Sequence, residues 1–234
     1  MKIDGVIGWD VTSAEFKNTL AEQKGDISID LNSGGGSIWE GIEIHNAIKA
    51  HDGKVNIKIG ALCASMSTYI AMAGDTVEVQ DNSTFMIHNG WTIAMGNHND
   101  LRKEADNLEA LSNILARSYV KKTNKSEDEI KSAMDAETFY YGQEIVDENF
   151  ANGLIESEED KDKKAGFALA REALKNCQAV YQEKLLATDH EKLGQFLATM
   201  PSVTEKIATT DGGLTAEQIE LLSAKLSNLQ TKIG

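Results

Sequence analysis

Proline occurs once in the 234-residue chain, at Pro201, and cysteine twice, at Cys63 and Cys177. So few thiols exclude a disulfide-stapled scaffold, and their wide separation excludes a paired-thiolate metal motif. No apolar run approaches the roughly 18 residues that a transmembrane helix needs. The opening MKIDGVIGWD has no apolar core of the kind that marks a secretory signal. Positive charge is also in short supply: 23 basic residues face 37 acidic ones, a formal net charge of −14. Nucleic acid and anionic membrane are therefore not expected as partners, because both demand a basic surface. Aromatic residues make up only 6 %, yet hydrophobic residues reach 41 %, enough for a packed core. These absences point to a soluble intracellular protein with one large domain and a short appendage.

Up to about Ile155 short β-type runs alternate with helical patterns. IDGVIGW at 3–9, DISIDLN at 26–32, KVNIKIGA at 54–61 and TVEVQ at 76–80 read as strands, being β-branched and bounded by turn residues. Thr12 and Glu15 have the spacing of a capping box ahead of a helix that carries Phe16 and Leu20. The spacing of Leu101, Leu108, Leu111 and Leu115 predicts a long helix from Asp100 to Val120. Strand and helix in this rhythm predict an α/β fold with a parallel or mixed sheet covered by helices. After Ile155 the charge run ESEEDKDKK predicts a solvated linker. Beyond it two amphipathic stretches, the second opened by Thr215 and Gln218, predict a helical tail rather than a second enzyme domain. The division is thus 1–156 for the body and 157–234 for linker and tail, the tail packing on a neighbouring subunit or partner or remaining solvated.

Four segments of the body could carry chemistry. In LNSGGGSIWEG at 31–41 a strand runs into three glycines, and Ser37 with Glu40 opens a helix, leaving backbone N–H groups free to face an anion. The spacing fits neither a Walker loop nor a dinucleotide fingerprint, and a plain tight turn is the simpler reading. In GALCASMSTYIAMAGD at 60–75 a strand ends in small residues and Ser65 stands before an apolar helix. That junction can display a nucleophilic hydroxyl, although a serine there also serves as an ordinary N-cap. Ser67, two residues into the helix, is the less well displayed rival. His88 closes a short apolar run in STFMIHNG at 83–90, whereas His45, His51, His98 and His190 lie on helices or polar loops and read as solvated. Asp135 and Glu137 in MDAETFYYGQE at 134–144 are carboxylates ahead of Phe139, able to orient an imidazole.

Taken in order, the glycine turn NSGGGS at 32–37, CASMS at 63–67, MIHNG at 86–90 and ENFANGLIE at 148–156 resemble the Clp protease proteolytic subunit family, ClpP, over roughly residues 25–156. The resemblance implies a ClpP/crotonase-type ββα superhelix and a serine endopeptidase that needs no cofactor and no metal. It assigns Ser65 as nucleophile, His88 as base and the Gly36 and Met66 N–H groups as the oxyanion hole. The acidic column falls on Glu137, with Asp135 as the alternative third member. Ser33-Gly34-Gly35-Gly36 replaces the family's Ser-Pro-Gly-Gly, and glutamate replaces its aspartate. With a shorter N-terminal segment, these departures resemble the ClpP-like proteases encoded beside phage capsid genes.

The resemblance further implies a polypeptide substrate and a homo-oligomer of heptameric rings, stacked in pairs through the long helix. It implies a place in the cytoplasm of a bacterial host or inside a procapsid, with a capsid or scaffold protein as partner and action without ATP or through a partner. Two other functions stand beside it: a catalytically silent ring-forming assembly protein, and a crotonase-type acyl-CoA enzyme that uses the same oxyanion N–H groups without a nucleophilic serine.

Overall fold

A computed structural model describes residues 1–155. The elements in chain order are β1 (Lys2–Asp4), α1 (Ser13–Ala21), β2 (Ile27–Ser33), α2 (Ile38–Lys49), β3 (Val55–Ala64), α3 (Met66–Ala71), β4 (Thr76–Val79), β5 (Thr84–Ile87), α4 (His98–Thr123), α5 (Glu127–Asp135), β6 (Thr138–Tyr141), α6 (Gln143–Asp147) and β7 (Gly153–Leu154). The expected linker and helical tail at 157–234, with His190, lie outside the described residues. Among the described residues no helix is long and apolar enough to cross a membrane.

The strands form a mixed sheet in which only β5 and β6 run antiparallel. Strand β3 is its hinge. Its first half pairs with β2 and β4, placing Ile57 opposite Ile29 and Val77, and its second half pairs with β5, placing Cys63 opposite Phe85. Ile29, Leu31, Ile57, Ile59, Val77 and Val79 alternate inward, as period-two side chains on a covered sheet must. Between Leu31 and Ser33 the β2–β3 register slips, and the Asn32 side chain fills the break by accepting from the Leu62 N–H at 3.1 Å. The slip divides the part of β3 that pairs through Ile59 from the part that resumes pairing at Cys63.

Local sequence explains most helix starts. Thr12 with Glu15, Asn97 with Asp100 and Ser126 with Glu129 form reciprocal capping boxes, and Ser37 caps α2 through the Glu40 N–H. Helix α4 starts two residues before Asp100 and ends on Asn124 in the left-handed conformation at φ 59°. The first strand is shorter than the apolar run predicts. Gly5 and Gly8 adopt φ 92° and 91°, so the chain turns away after Asp4, and Asp10 accepts from the Val6 N–H at 2.8 Å. Ile7 keeps only isolated bridges to Val11 and Gly36, the second of which ties the early chain to the glycine turn.

Candidate active site

The junction between β3 and α3 contains a single residue, Ser65, with φ 56° and ψ −128°. A non-glycine residue there stores about 1–3 kcal/mol of backbone strain and needs neighbours to hold it. Its N–H donates to Met86 O on β5 at 2.8 Å, and its carbonyl accepts from the Thr68 N–H at 3.0 Å and from Thr68 Oγ1 at 2.5 Å. Although Ser65 occupies the cap position of α3, its hydroxyl makes no capping bond. Instead Oγ lies 2.7 Å from His88 Nε2.

The glycine turn packs against this junction. Gly35 adopts φ 98°, and a Cβ there would meet Ser65 Cβ at 2.7 Å and the Met66 nitrogen at 2.9 Å. Gly36, at φ 147°, would drive a Cβ into the Ile7 backbone. Ile7 donates to Gly35 O and accepts from the Ser37 N–H, both at 2.9 Å, so the early chain buttresses the turn. Among the described residues the Gly36 N–H has no acceptor, and the Met66 N–H, in the first turn of α3, has no partner from an earlier turn. Two serines tie the turns together. Ser33 Oγ accepts from the Gly35 N–H at 3.0 Å and donates to Gly5 O at 2.6 Å. Ser67 Oγ, fully buried, lies 2.8 Å from Ser33 O and 2.7 Å from Ala64 O. Its single proton is committed there, so Ser67 has no access to a reacting group.

His88 follows β5 directly, and its side chain is 6 % exposed. Burial lowers its pKa below the ordinary imidazole value, a shift that the hydrogen bond and charge of Glu137 only partly oppose. A neutral ring is what a general base requires. Nδ1 lies 3.4 Å from Glu137 Oε1, a long contact to a carboxylate 67 % exposed. Glu137 itself sits at φ 49° in the turn between α5 and β6, where the antiparallel pairing of Thr138 with Ile87 brings it beside His88. Asp135 points elsewhere: its Oδ1 accepts from Asn89 Nδ2 at 2.7 Å. It therefore braces the residue after His88 and does not touch the ring.

Not every histidine follows its sequence reading. His98 is exposed and His51 half-buried, with a ring nitrogen 2.8 Å from Gly25 O. His45 is buried, contrary to the solvated position expected of it. It stacks on Tyr69 with ring centroids 4.3 Å apart, and its Nδ1 lies 2.8 Å from Tyr69 O. The physical reason is the stripe Gly41, Ile44, His45 and Ile48, which forms the inward face of α2. Cys63 is fully buried with its thiol pushed up to about 12 by desolvation, which leaves it un-ionised. Among the described residues no group of three His, Cys, Asp or Glu side chains gathers as a metal-ligand set.

A mainly parallel sheet with helices on it, and a serine on a strained strand-to-helix turn beside a histidine and a glycine turn, define a ClpP-type α/β fold. The sequence model of the Clp protease family matches residues 16–158, more than half of the chain, and the chain belongs to that family. It is 30 % identical over 118 residues to an ATP-dependent Clp protease proteolytic subunit of Pleurastrum terricola, covering 50 % of this chain and 60 % of that protein. Similar proteins of the same description, numbered 2 in a Synechococcus and 1 in Prochlorococcus marinus, are 30 % and 29 % identical over 138 residues. These matches span 58 % of this chain and 68 % of each relative. The family is one of peptidases. Thr68 and Tyr119, which bear on the site through hydrogen bonds, carry no motif that sequence reading could have used.

Proposed function

We propose that the chain is a serine endopeptidase acting on polypeptides. The observation that carries this reading is the 2.7 Å contact between Ser65 Oγ and His88 Nε2, made by a serine that declines its capping bond. In this reading His88 Nε2 takes the hydroxyl proton as Oγ bonds to the peptide carbonyl carbon, and the Gly36 and Met66 N–H groups receive the oxyanion. The protonated His88 then returns its proton to the leaving amine as the C–N bond breaks. Water repeats the sequence on the acyl-enzyme, releasing the acid and restoring Ser65. Glu137 holds the Nδ1 proton and steadies the imidazolium, while Asp135 accepts from the Asn89 side-chain amide. No cofactor enters these steps.

The oligomer proposed with this chemistry is a closed ring, since a peptidase of broad specificity is safe when only unfolded chains reach it. Exposed Leu101 and Ile114 on α4 support a contact between copies along that helix. A capsid or scaffold partner for residues 157–234 is the finer reading, resting on the likeness to phage-encoded members. A fluorophosphonate probe tests the core of the proposal. It is expected to label the wild type at Ser65 and to leave Ser65→Ala unmodified. Labelling that survives in that variant, or moves with Ser67, overturns the assignment.

A further inference from the structure

The peptide that joins Ser65 to Met66 has two ends with different duties. Its N–H is the proposed oxyanion donor, and its C=O points the opposite way, as a trans peptide requires. That carbonyl is gripped inside the protein. Thr68 Oγ1 lies 2.5 Å from Ser65 O, and the Thr68 N–H reaches the same oxygen at 3.0 Å. Thr68 Oγ1 is in turn 2.7 Å from the hydroxyl of Tyr119, on the far part of α4. The direction of this chain is fixed by chemistry. A carbonyl only accepts, so the Thr68 hydroxyl donates to Ser65 O, and the Tyr119 hydroxyl must donate to Thr68 Oγ1. Both side chains are buried, Thr68 at 0 % and Tyr119 at 1 % exposure. Burial also raises the phenol's pKa and keeps its proton in place.

We infer that Thr68 and Tyr119 are positioning residues for the oxyanion hole, holding and polarising the Ser65–Met66 peptide so that its N–H meets the developing negative charge. The inference rests on the serine peptidase reading of the site. Two physical effects combine. Ser65 sits at φ 56° and ψ −128°, and the ψ angle sets where the Met66 N–H points. Two donors on Ser65 O resist its relaxation. Hydrogen bonds in series also strengthen one another, so electron density drawn toward the Ser65 carbonyl makes the Met66 N–H a better donor. A threonine bonding back to a carbonyl three residues earlier is by itself an ordinary helix feature. What sets this one apart is that the carbonyl belongs to the nucleophile, and that a buried tyrosine 51 residues away completes the chain.

The test uses the full chain and an alkyl fluorophosphonate, whose P=O oxygen takes the place of the oxyanion. Labelling rates are measured against probe concentration and pH for the wild type, Thr68→Val, Thr68→Ser and Tyr119→Phe. Thr68→Val is expected to lower the maximal labelling rate by about 10-fold, less than the ~10²–10³ that follows outright loss of a donor. Tyr119→Phe, which removes only the outer link, is expected to lower it by about 3-fold, in keeping with modest cooperative strengthening. Thr68→Ser restores the rate. In each case the half-saturating probe concentration and the pH midpoint set by His88 stay unchanged, which general damage to the fold would not allow. Unchanged maximal rates in Thr68→Val and Tyr119→Phe overturn the inference while leaving Ser65 as the nucleophile. Should Thr68→Val fail to fold, an undiminished rate in Tyr119→Phe is sufficient to reject it. A wild type that never labels at Ser65 removes the serine reading itself, and this inference with it.

Discussion

The two edges of the His88 ring face different worlds. On one side Nε2 meets Ser65 Oγ at 2.7 Å, beside a glycine turn that the buried Ser33 and Ser67 tie down. On the other, Nδ1 reaches Glu137 at 3.4 Å, and that carboxylate stands 67 % in solvent. At such a distance in water two unit charges attract by only about 1 kcal/mol. A buried carboxylate would orient an imidazole far more firmly. The contrast teaches that on this scaffold the ring is held mainly by packing and by its place after β5, with the acid as a weaker guide.

The largest effects should fall on the tight side. Ser65→Ala and His88→Ala are each expected to lower turnover of an unfolded protein substrate by about 10⁴- to 10⁶-fold, close to the double variant, because in the proposed mechanism the pair acts as a unit. Rates measured for the two single variants and the double one check this. Effects that multiply in the double variant would mean that the two residues do not act together.

On the loose side the losses should be smaller and unequal. Glu137→Gln is expected to reduce kcat by about 10- to 100-fold, below the ~10⁴ seen when a buried triad aspartate is changed. Asp135→Asn, which leaves Asn89 a neutral acceptor, is expected to cost about 3-fold or less, in the range of an exposed polar contact. Steady-state kinetics of the two variants decide the matter. Equal losses would make Asp135 a partner in orientation, and no loss from either would define a serine–histidine dyad.

The same edge has a pH signature. Burial lowers the pKa of His88, and Glu137 works against that shift. In the proposed mechanism the neutral ring is the active form, so labelling by a fluorophosphonate should persist below the ordinary histidine value of about 6.5 as pH falls. Removing the Glu137 charge takes away the opposing influence and should move the acid limb to still lower pH, even as the plateau drops. A limb that does not move in Glu137→Gln would show that the carboxylate does not face the ring in solution.

How far the sequence could be read follows from how local each feature is. The capping boxes at Thr12–Glu15 and the alternation in β2 and β3 are written within a few residues, and the α/β class follows from them. The Ser65 turn is equally local, since a β-rich run, small residues and an apolar helix adjoin. The distinction between Asp135 and Glu137 is not local. Two residues of separation decide which carboxylate faces His88, and the decision lies in a positive φ at Glu137 and in the β5–β6 register. Neither leaves a mark in composition. The Thr68–Tyr119 bond spans α3 and α4 and was invisible for the same reason. His45 differs from these, because the spacing of Gly41, Ile44, His45 and Ile48 was already an inward helical stripe.

That second buried imidazole supplies the mildest test. His45 has a lowered pKa, chiefly through burial, with Lys49 and Lys121 adding repulsion and the Tyr69 carbonyl opposing. A histidine depressed in the fold favours the neutral form there. Its contribution to stability is whole above the unfolded value of about 6.5 and is lost as pH falls through the lower, folded value. His88 adds a contribution of the same sign. Urea midpoints measured between about pH 7.5 and 5.5, above the range where ordinary carboxylates titrate, should therefore decline toward acid. Among the described residues His45 and His88 are the histidines with a lowered pKa, and His45→Gln removes one of them, so its decline should be shallower, from a lower starting midpoint because the stack on Tyr69 is gone. Against it, Glu137→Gln should show a slightly steeper decline, since His88 then resists protonation more strongly. An unchanged slope in His45→Gln would mean that the α2–α3 contact opens readily enough to hydrate the ring, and that its burial is not what depresses the pKa.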